Sequence, residues 1–305
     1  MQWSSTLKRH LERHRYAEFN AERIRSCLYR PFTKQYLYYD EILNDRPGLF
    51  RLALPSQETE EENKIICCTN HLQIGFVLQI SNHIANEAVG GRAGQCIPFY
   101  AYNKDGTNRR ENITDWALAH FREHYQDKKI TKWDIFYYVY GILHHPGYRT
   151  KFADNLKREL PRIPLAPDFK AFAKAGKMLA DLHLNYEKLE EWPLEWIEAE
   201  GVPLSYEVEK MRLSKDKTQL KVNESLTLAK IPPEAFNYRL GNRSALDWVI
   251  DQYQKSTDKR SGIESDPNNP DDEEYIVRLV GQVVRVSVET VKIVSGLPDA
   301  YGPTS

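Results

Sequence analysis

Hydrophobic and polar positions alternate with three different rhythms along this chain. In the first third, after an N-terminal stretch, apolar residues come in short runs. Residues 2–28 read as helix with a break near Tyr16–Asn20. Tyr29-Arg30-Pro31-Phe32 ends that helix, because proline cannot continue one and constrains the residue before it. Gln35–Tyr39 is aromatic and β-prone, and Ile65–Cys68, Phe76–Ile80 and Cys96–Tyr102 are apolar runs of strand length. The acidic run Glu58–Glu62 reads as an exposed loop, and Gly90-Gly91-Arg92-Ala93-Gly94 as a flexible one.

The middle changes to helical spacing. Ile113–Tyr125 forms a helix with Asn112 or Thr114 as its N-cap. Thr131–Leu143 is apolar nearly all round, which predicts a central, buried helix. Pro146-Gly147 breaks it and Tyr148–Leu160 resumes; Pro161, Pro164 and Pro167 make an extended connector. Phe169, Phe172, Leu179, Leu182 and Tyr186 form the stripe of a further helix. In the last third, Leu220/Val222 and Leu226/Leu228 alternate about a turn at Asn223-Glu224, which predicts a small meander within Tyr206–Ile231. Ser244–Gln254 is a short amphipathic helix, and Asp258–Asp272 a long polar loop. Ile276, Leu279, Val283, Val286 and Ile293 keep helical spacing, although Val284, Val286 and Val288 also alternate as in a strand. The expected class is α+β, with a β-rich N-terminal third, a central helical bundle, a small β-meander and C-terminal helices. The parts are residues 1–110, 111–200 and 201–305, read together as one compact module.

Composition adds limits. Apolar residues make up 41 %, enough for a sizeable core, and no stretch of about 18 apolar residues predicts a membrane span. Met1–Arg15 is polar and basic with no apolar signal region, and the four cysteines show no C-x-x-C pairing, so reduced thiols in a cytoplasmic protein are expected. The net charge of −1 argues against indiscriminate polyanion binding. The charges are nevertheless segregated. Residues 1–51 hold ten Lys/Arg against six Asp/Glu, and Lys210–Lys221 holds five against one Asp. Acidic blocks lie at Glu58–Glu62 and Glu187–Glu200. Such a pattern suits either one phosphate-facing surface or ordinary solvated helix faces and loops.

Catalytic signatures are sparse. There is no phosphate-binding G-x-x-x-x-G-K-[ST] loop and no G-x-S-x-G elbow. Amino-methyltransferases hold the target amine with N/D-P-P-Y/F; the nearest string, Asp266-Pro267-Asn268-Asn269-Pro270, lacks the adjacent prolines and the aromatic. His10 and His14 are four apart, but no third ligand is near and Arg9, Arg13 and Arg15 repel a cation. His144-His145 reads as a helix-end cap, with a contact or catalytic role as the alternative. No catalytic residue, metal or cofactor is assigned.

Several ordered strings carry a resemblance. Tyr29–Asp40, YRPFTKQYLYYD, resembles the Y-R-P-F-D-x-R-Y-x-Y-Y-D stretch of type ISP restriction–modification enzymes and related predicted helicases, departing at Thr33 and Gln35. Gly94–Tyr100 is similar to G-Q-x-F-P-L-Y. Phe136–His144 with Pro146, Tyr148 and Arg149 is similar to Y-x-Y-G-x-L-H-x-P-x-Y-R, and Leu160-Pro161-Arg162-Ile163-Pro164 follows it. Tyr238–Tyr253 resembles Y-x-L-G-x-R-S-A-L-x-W-x-I-D-x-Y, continued by Ser261-Gly262-Ile263 and Asp266-Pro267-Asn268. These blocks belong to the C-terminal specificity region of that family, whose full-length chains carry a nuclease, a RecA-like helicase and an N6-adenine methyltransferase before it. Met1 stands just ahead of the blocks, which fits an expressed fragment, a separately encoded subunit or a remnant.

The resemblance implies noncatalytic, sequence-specific recognition of double-stranded DNA, with methyltransferase and helicase/nuclease domains as partners and no membrane. The alternative is a protein-interaction subunit that docks a separately encoded methyltransferase or helicase; an unrecognised enzyme is the third reading. Base-reading candidates are Arg92 and Gln95 in the glycine loop, Lys104, Asn108, Arg109 and Arg110 in the following segment, and Lys215 and Lys217 in the meander. Arginine can pair with guanine, and Asn or Gln with adenine. Arg30, Arg149 and Arg243, inside the matched blocks, admit structural ion pairing or phosphate contact.

Overall fold

The computed structural model describes residues 4–44 and 48–301. The N-terminal helix is shorter than expected. Helix α1 covers Ser5–Glu12, capped by the Ser4 side chain, which accepts from Leu7 N at 3.2 Å. Residues 2 and 3 of the expected helix lie outside the described residues. His14 sits at φ 52°, in the left-handed region, and a 3-10 turn at Ala21–Arg23 leads into strand β1 (Ile24–Arg30). Those last residues pair with β2 (Thr33–Tyr38), from Ile24↔Tyr38 to Arg30↔Thr33. The helical reading of 24–28 therefore fails, because cross-strand partners outweigh local spacing.

Short helices α2 (Phe50–Ala53) and α3 (Glu58–Glu62) follow. The acidic run is thus a helix, with Thr59 and Glu60 buried, not an exposed loop. Its hidden partner is Arg25 on β1. The Arg25 Nε donates to Glu60 Oε1 at 2.6 Å and its Nη1 to Leu54 O at 2.8 Å. Both charges are nearly solvent-free, at 4 % and 9 % exposure. Burial of such a pair costs little only when every donor is satisfied.

Strand β3 (Ile65–His71) pairs with β4 (Gly75–Ser81) over seven positions, from Ile65↔Ser81 to His71↔Gly75. Strand β5 (Ile84–Ala85) runs parallel to β1, and β6 (Gln95–Pro98) joins the far side of β3. Between them the glycine loop is held by Gly91 N→Ala88 O at 2.7 Å and Gly94 N→Glu87 O at 3.0 Å. Two short strands, β7 (Tyr100–Ala101) and β8 (Arg110–Glu111), close a ribbon.

The helical middle is α4 (Asp115–His124), α5 (Lys132–His144), α6 (Pro146–Lys151) and α7 (Phe169–Leu184). Thr114 caps α4 and Thr131 caps α5 in a capping box with Asp134. The expected break is present: the extended backbone of His145 separates α5 from α6, and Pro146 follows it. Pro146 opens α6, where a missing N–H does no harm, and His145 caps it by accepting from Tyr148 N at 3.2 Å. Helix α6 ends at Lys151, so the expected helix to Leu160 is irregular chain beyond that residue. Helices α5 and α7 approach closely through Gly141 and Gly176: a Cβ on Gly176 would lie 1.8 Å from Tyr137 O.

The meander contains a strand hidden in the acidic block. Its order is β10 (Arg212–Leu213), β11 (Gln219–Lys221), β12 (Leu226–Ala229) and then β9 (Glu195–Glu198). A small hairpin of β13 (Arg239–Leu240) and β14 (Arg243–Ser244) precedes α8 (Ala245–Gln252), which Ser244 and Asp247 cap as a box. The expected long loop at Asp258–Asp272 includes part of a hairpin, β15 (Ser256–Thr257) with β16 (Glu264–Ser265). The valine-rich end is α9 (Tyr275–Ser295), with Val277, Val280, Val283, Val284 and Val286 all buried. Among the described residues, no helix is long and apolar enough to cross a membrane.

The class is α+β, as the rhythms indicate. One apolar cluster joins Phe32 and Val77 to the meander, α8 and α9. A second joins Ile66, Leu78 and Phe99 to α5 and α7. A third lies under β1, β5 and α2. Residues far apart in sequence thus share one interior. At its centre, Tyr140 OH bonds His183 Nδ1 at 2.7 Å, and His183 Nε2 bonds Thr290 Oγ1 at 2.8 Å, tying α5, α7 and α9 together.

Candidate nucleic-acid interface

The eleven cationic and amide side chains singled out from the sequence fall into three surface groups and two interior or framework positions. The first group surrounds the β3–β4 turn. Arg92 is exposed, and its Nη2 donates to Gln73 Oε1 at 3.4 Å. The glycine loop behind it packs on α8: a Cβ on Gly91 would meet Trp248 Cη2 at 3.2 Å. The β13–β14 hairpin is pinned beside the turn, because Gly241 N donates to Phe76 O at 3.2 Å. Gly241 has φ 70°, and a Cβ there would stand 2.6 Å from Ile74 O, so only glycine allows this approach. Arg243 lies 5.0 Å over the Trp248 ring and pairs with Asp251 at 2.7 Å. Gln95 starts β6, exposed, opposite Cys68.

The second group is the ribbon between β7 and β8. Asn103 N→Thr107 O at 2.8 Å and Gly106 N→Asn103 O at 3.0 Å fold its tip. Asp105 accepts from Thr107 N at 3.0 Å and from its hydroxyl at 2.7 Å, which holds the Asp105 carboxyl below its ordinary range. Lys104 and Asn108 are exposed. Arg110 is committed to Asn103 Oδ1 at 3.2 Å and Tyr102 O at 3.4 Å. Arg109 is ion-paired with Glu62 and lies 4.7 Å over the Tyr100 ring.

The third group is the β10–β11 turn. Asp216 organises it by accepting from the Ser214 hydroxyl at 2.5 Å and the Thr218 hydroxyl at 2.9 Å. Those bonds hold the Asp216 carboxyl low. Lys217, at φ 60°, places its ammonium 5.0 Å over the Phe236 ring, and Lys215 is exposed. A shallow cleft of about 350 Å³ lies ahead of β10, lined by Lys210 and Arg243.

Arg30 and Arg149 do not form ion pairs among the described residues. Arg30 stacks 4.1 Å over Tyr29 and donates to Tyr29 O at 2.8 Å. Arg149 turns inward as a staple. Its Nε donates to Leu143 O at 2.7 Å and its Nη1 to Arg239 O at 3.3 Å, joining the end of α5 to β13. Neighbouring His144 donates from Nδ1 to Tyr140 O, 2.8 Å away. Burial first, and then the charge of Arg149, push His144 well below its usual pKa and His183 down to about 3. Both rings are therefore neutral. The helix-end reading of His144-His145 matches this geometry, although an uncharged His144 gives no charge to the helix dipole.

The four cysteines are free thiols, with Cys67 and Cys96 sulfurs 3.3 Å apart across β3 and β6. Among the described residues, no cluster of His, Cys, Asp or Glu has metal-binding geometry. Sequence reasoning passed over Gln73 and Arg239 in the first group. Arg239 stands inside the quoted block Tyr238–Tyr253, but only the tertiary fold brings its hairpin against β4 and the β3–β4 turn.

The family model of the Type ISP C-terminal specificity domain matches residues 1–279. No curated protein matches the chain. Solved structures that resemble it include three complexes. One is a nuclease-deletion mutant of the Type ISP restriction-modification enzyme LlaGI in complex with a DNA substrate mimic. It aligns with TM-score 0.83 and 34 % identity over 97 % of this chain and 27 % of its own. The ATP-dependent Type ISP restriction-modification enzyme LlaBIII bound to DNA aligns with TM-score 0.87 and 30 % identity, over 98 % of this chain and 20 % of its own. A DrdV–DNA complex solved by cryo-EM aligns with TM-score 0.86 and 32 % identity, over 97 % of this chain and 30 % of its own. The chain thus spans less than a third of each of these longer proteins.

Proposed function

The chain belongs to the Type ISP C-terminal specificity domain family, and on that premise we propose that it recognises a sequence in double-stranded DNA without catalysing a reaction itself. The observation that carries this reading is the alignment of 97–98 % of the chain onto DNA-bound Type ISP and DrdV proteins at 30–34 % identity. Nuclease, helicase and N6-adenine methyltransferase activities belong, on this reading, to other domains of a cytoplasmic restriction–modification system.

The three basic groups suit a division of labour. Phosphate contacts supply affinity, and base-edge contacts supply sequence choice. Lys104, Lys215 and Lys217 are exposed and have no carboxylate partner among the described residues, which suits phosphates. Arg92, Gln95 and Asn108 are exposed candidates for base edges. Arg109, Arg110 and Arg243 already hold protein partners, so they contribute by exchanging those partners for DNA. Arg30 and Arg149 serve the framework.

Selection from a random duplex library, read at two salt concentrations, tests the proposal. A recovered consensus with salt-sensitive affinity supports it; binding to no duplex sinks it. A second reading, docking onto a separate methyltransferase or helicase subunit, draws on α1, which buries no residue and leaves Leu11 exposed, with Tyr16 and Phe19 exposed beyond it. Co-purification with such a subunit in the absence of DNA tests it.

A further inference from the structure

The β3–β4 turn carries features that stability does not explain. Its tip residue Leu72 is 65 % exposed, and Gln73 beside it is also exposed. An isolated exposed leucine is ordinary on a protein surface. Here it stands at the end of a stiff element. The strands below it pair through seven successive positions, and Thr69, Val77 and Leu78 are buried. The hairpin end is buttressed by Gly241 N→Phe76 O. His71 Nδ1 accepts from Gln73 N at 3.2 Å, which fixes the turn itself. The tip is therefore held out rigidly, with Leu72 exposed and the Gln73 amide bonded only by Arg92.

The charges around this tip are also unbalanced. Arg92 and Arg239 have no carboxylate partner among the described residues; Arg239 donates only to the Asn242 carbonyl. Arg149 is a further unbalanced cation behind them. Of the nearby acids, Asp251 is engaged with Arg243, Asp247 in the α8 cap and Glu159 with Arg162, which leaves exposed Glu87 against these three cations. A two-stranded ribbon fits the major groove, where adenine offers N7 and N6 to an amide and thymine offers a methyl to an apolar side chain. The bond from Arg92 to Gln73 Oε1 aims the amide and leaves its Nε2 donors free.

We infer that the β3–β4 turn enters the major groove and that Gln73 and Leu72 contact an adenine–thymine pair, while Arg239 holds a backbone phosphate beside it. This rests on the recognition reading above. Arg92 then acts as a positioning residue for Gln73 in place of reading a base edge itself, and Arg239 as a phosphate anchor that no sequence pattern singled out.

The test uses the full chain and the consensus recovered from a random duplex library. Gln73→Ala lowers the preference for adenine at one position about tenfold or more, and leaves other positions unchanged. Leu72→Ala weakens the preference for thymine in the same base pair. Arg239→Ala weakens all duplexes alike and reduces the slope of log K against log salt by about 0.9. Thermal melting and circular dichroism should match wild type for all three, because each side chain is exposed. If wild type selects a site and neither Gln73→Ala nor Leu72→Ala alters its sequence preference, the inference is wrong while the recognition reading stands. An Arg239→Ala protein with altered base preference and an unchanged salt slope overturns the phosphate role. If wild type binds no duplex, the recognition reading falls and this inference falls with it.

Discussion

Replacing Gly176 with alanine should reverse the sign that helix propensity predicts. In an isolated helix the change stabilises by about 1 kcal/mol. In α7 the new Cβ would stand 1.8 Å from Tyr137 O, 2.7 Å from the Tyr137 carbonyl carbon and 2.8 Å from Gly141 N. These are backbone atoms of α5, which no rotamer change can move. Reaching the 3.4 Å of ordinary contact requires the two helices to part by about 1.6 Å at this point. Phe136, Phe172 and Leu179 share the apolar cluster between these helices, and a gap of about half to one ångström forfeits a quarter to a half of each contact's attraction. The expected net cost is about 3–5 kcal/mol, in the range of severe core changes. Gly281→Ala in α9 is the matched control. Its Cβ would meet Glu191 Cβ at 3.0 Å, so a shift of a few tenths of an ångström suffices there against about 1.6 Å at Gly176. Urea and thermal unfolding of both variants, followed by far-ultraviolet circular dichroism, read the difference. Gly176→Ala should melt roughly 10 °C below wild type, with Gly281→Ala near it. A Gly176→Ala protein as stable as wild type would refute the backbone-clash reasoning.

Further outcomes follow from the buried charges and the basic turns. His144 and His183 have folded pKa values pushed below the unfolded value of about 6.5, so their stability contribution is complete above that pH and declines as pH falls below it, for His183 toward about 3. At about pH 5.5 His183 should cost about 1.4 kcal/mol, and His183→Gln should reduce the pH dependence of the urea midpoint accordingly. Glu60→Gln leaves Arg25 buried without its counter-charge and should lower stability by about 3 kcal/mol in the same unfolding assay; an unchanged midpoint would show that the carbonyls of Leu54 and Ser56 suffice. Lys215→Ala with Lys217→Ala should reduce the salt slope of duplex binding by about 1.8 in total, with the selected consensus retained. A changed consensus would move this turn from phosphate contact to base reading.

Amphipathic spacing, capping residues and proline were enough to read α4, α5, α7, α8 and α9 from the chain, because those signals are local. The valine-rich α9 kept its helical period, and tertiary burial of five valines outweighed their strand preference. Elements whose stability comes from a distant partner escaped. Strand β1 needs β2 and β5, α3 needs the buried Arg25, and β9 needs β12. The ordered motif blocks also marked the chain's family, since their identity does not depend on knowing any contact. They could not separate framework from interface. Arg149 and Arg239 occur in equally basic, equally aromatic contexts, yet one staples α5 to β13 and the other stands at the surface. Which way an arginine points is set by what the fold packs around it. That depends on residues as far apart as Leu143 and Arg239, and only the tertiary structure brings them together.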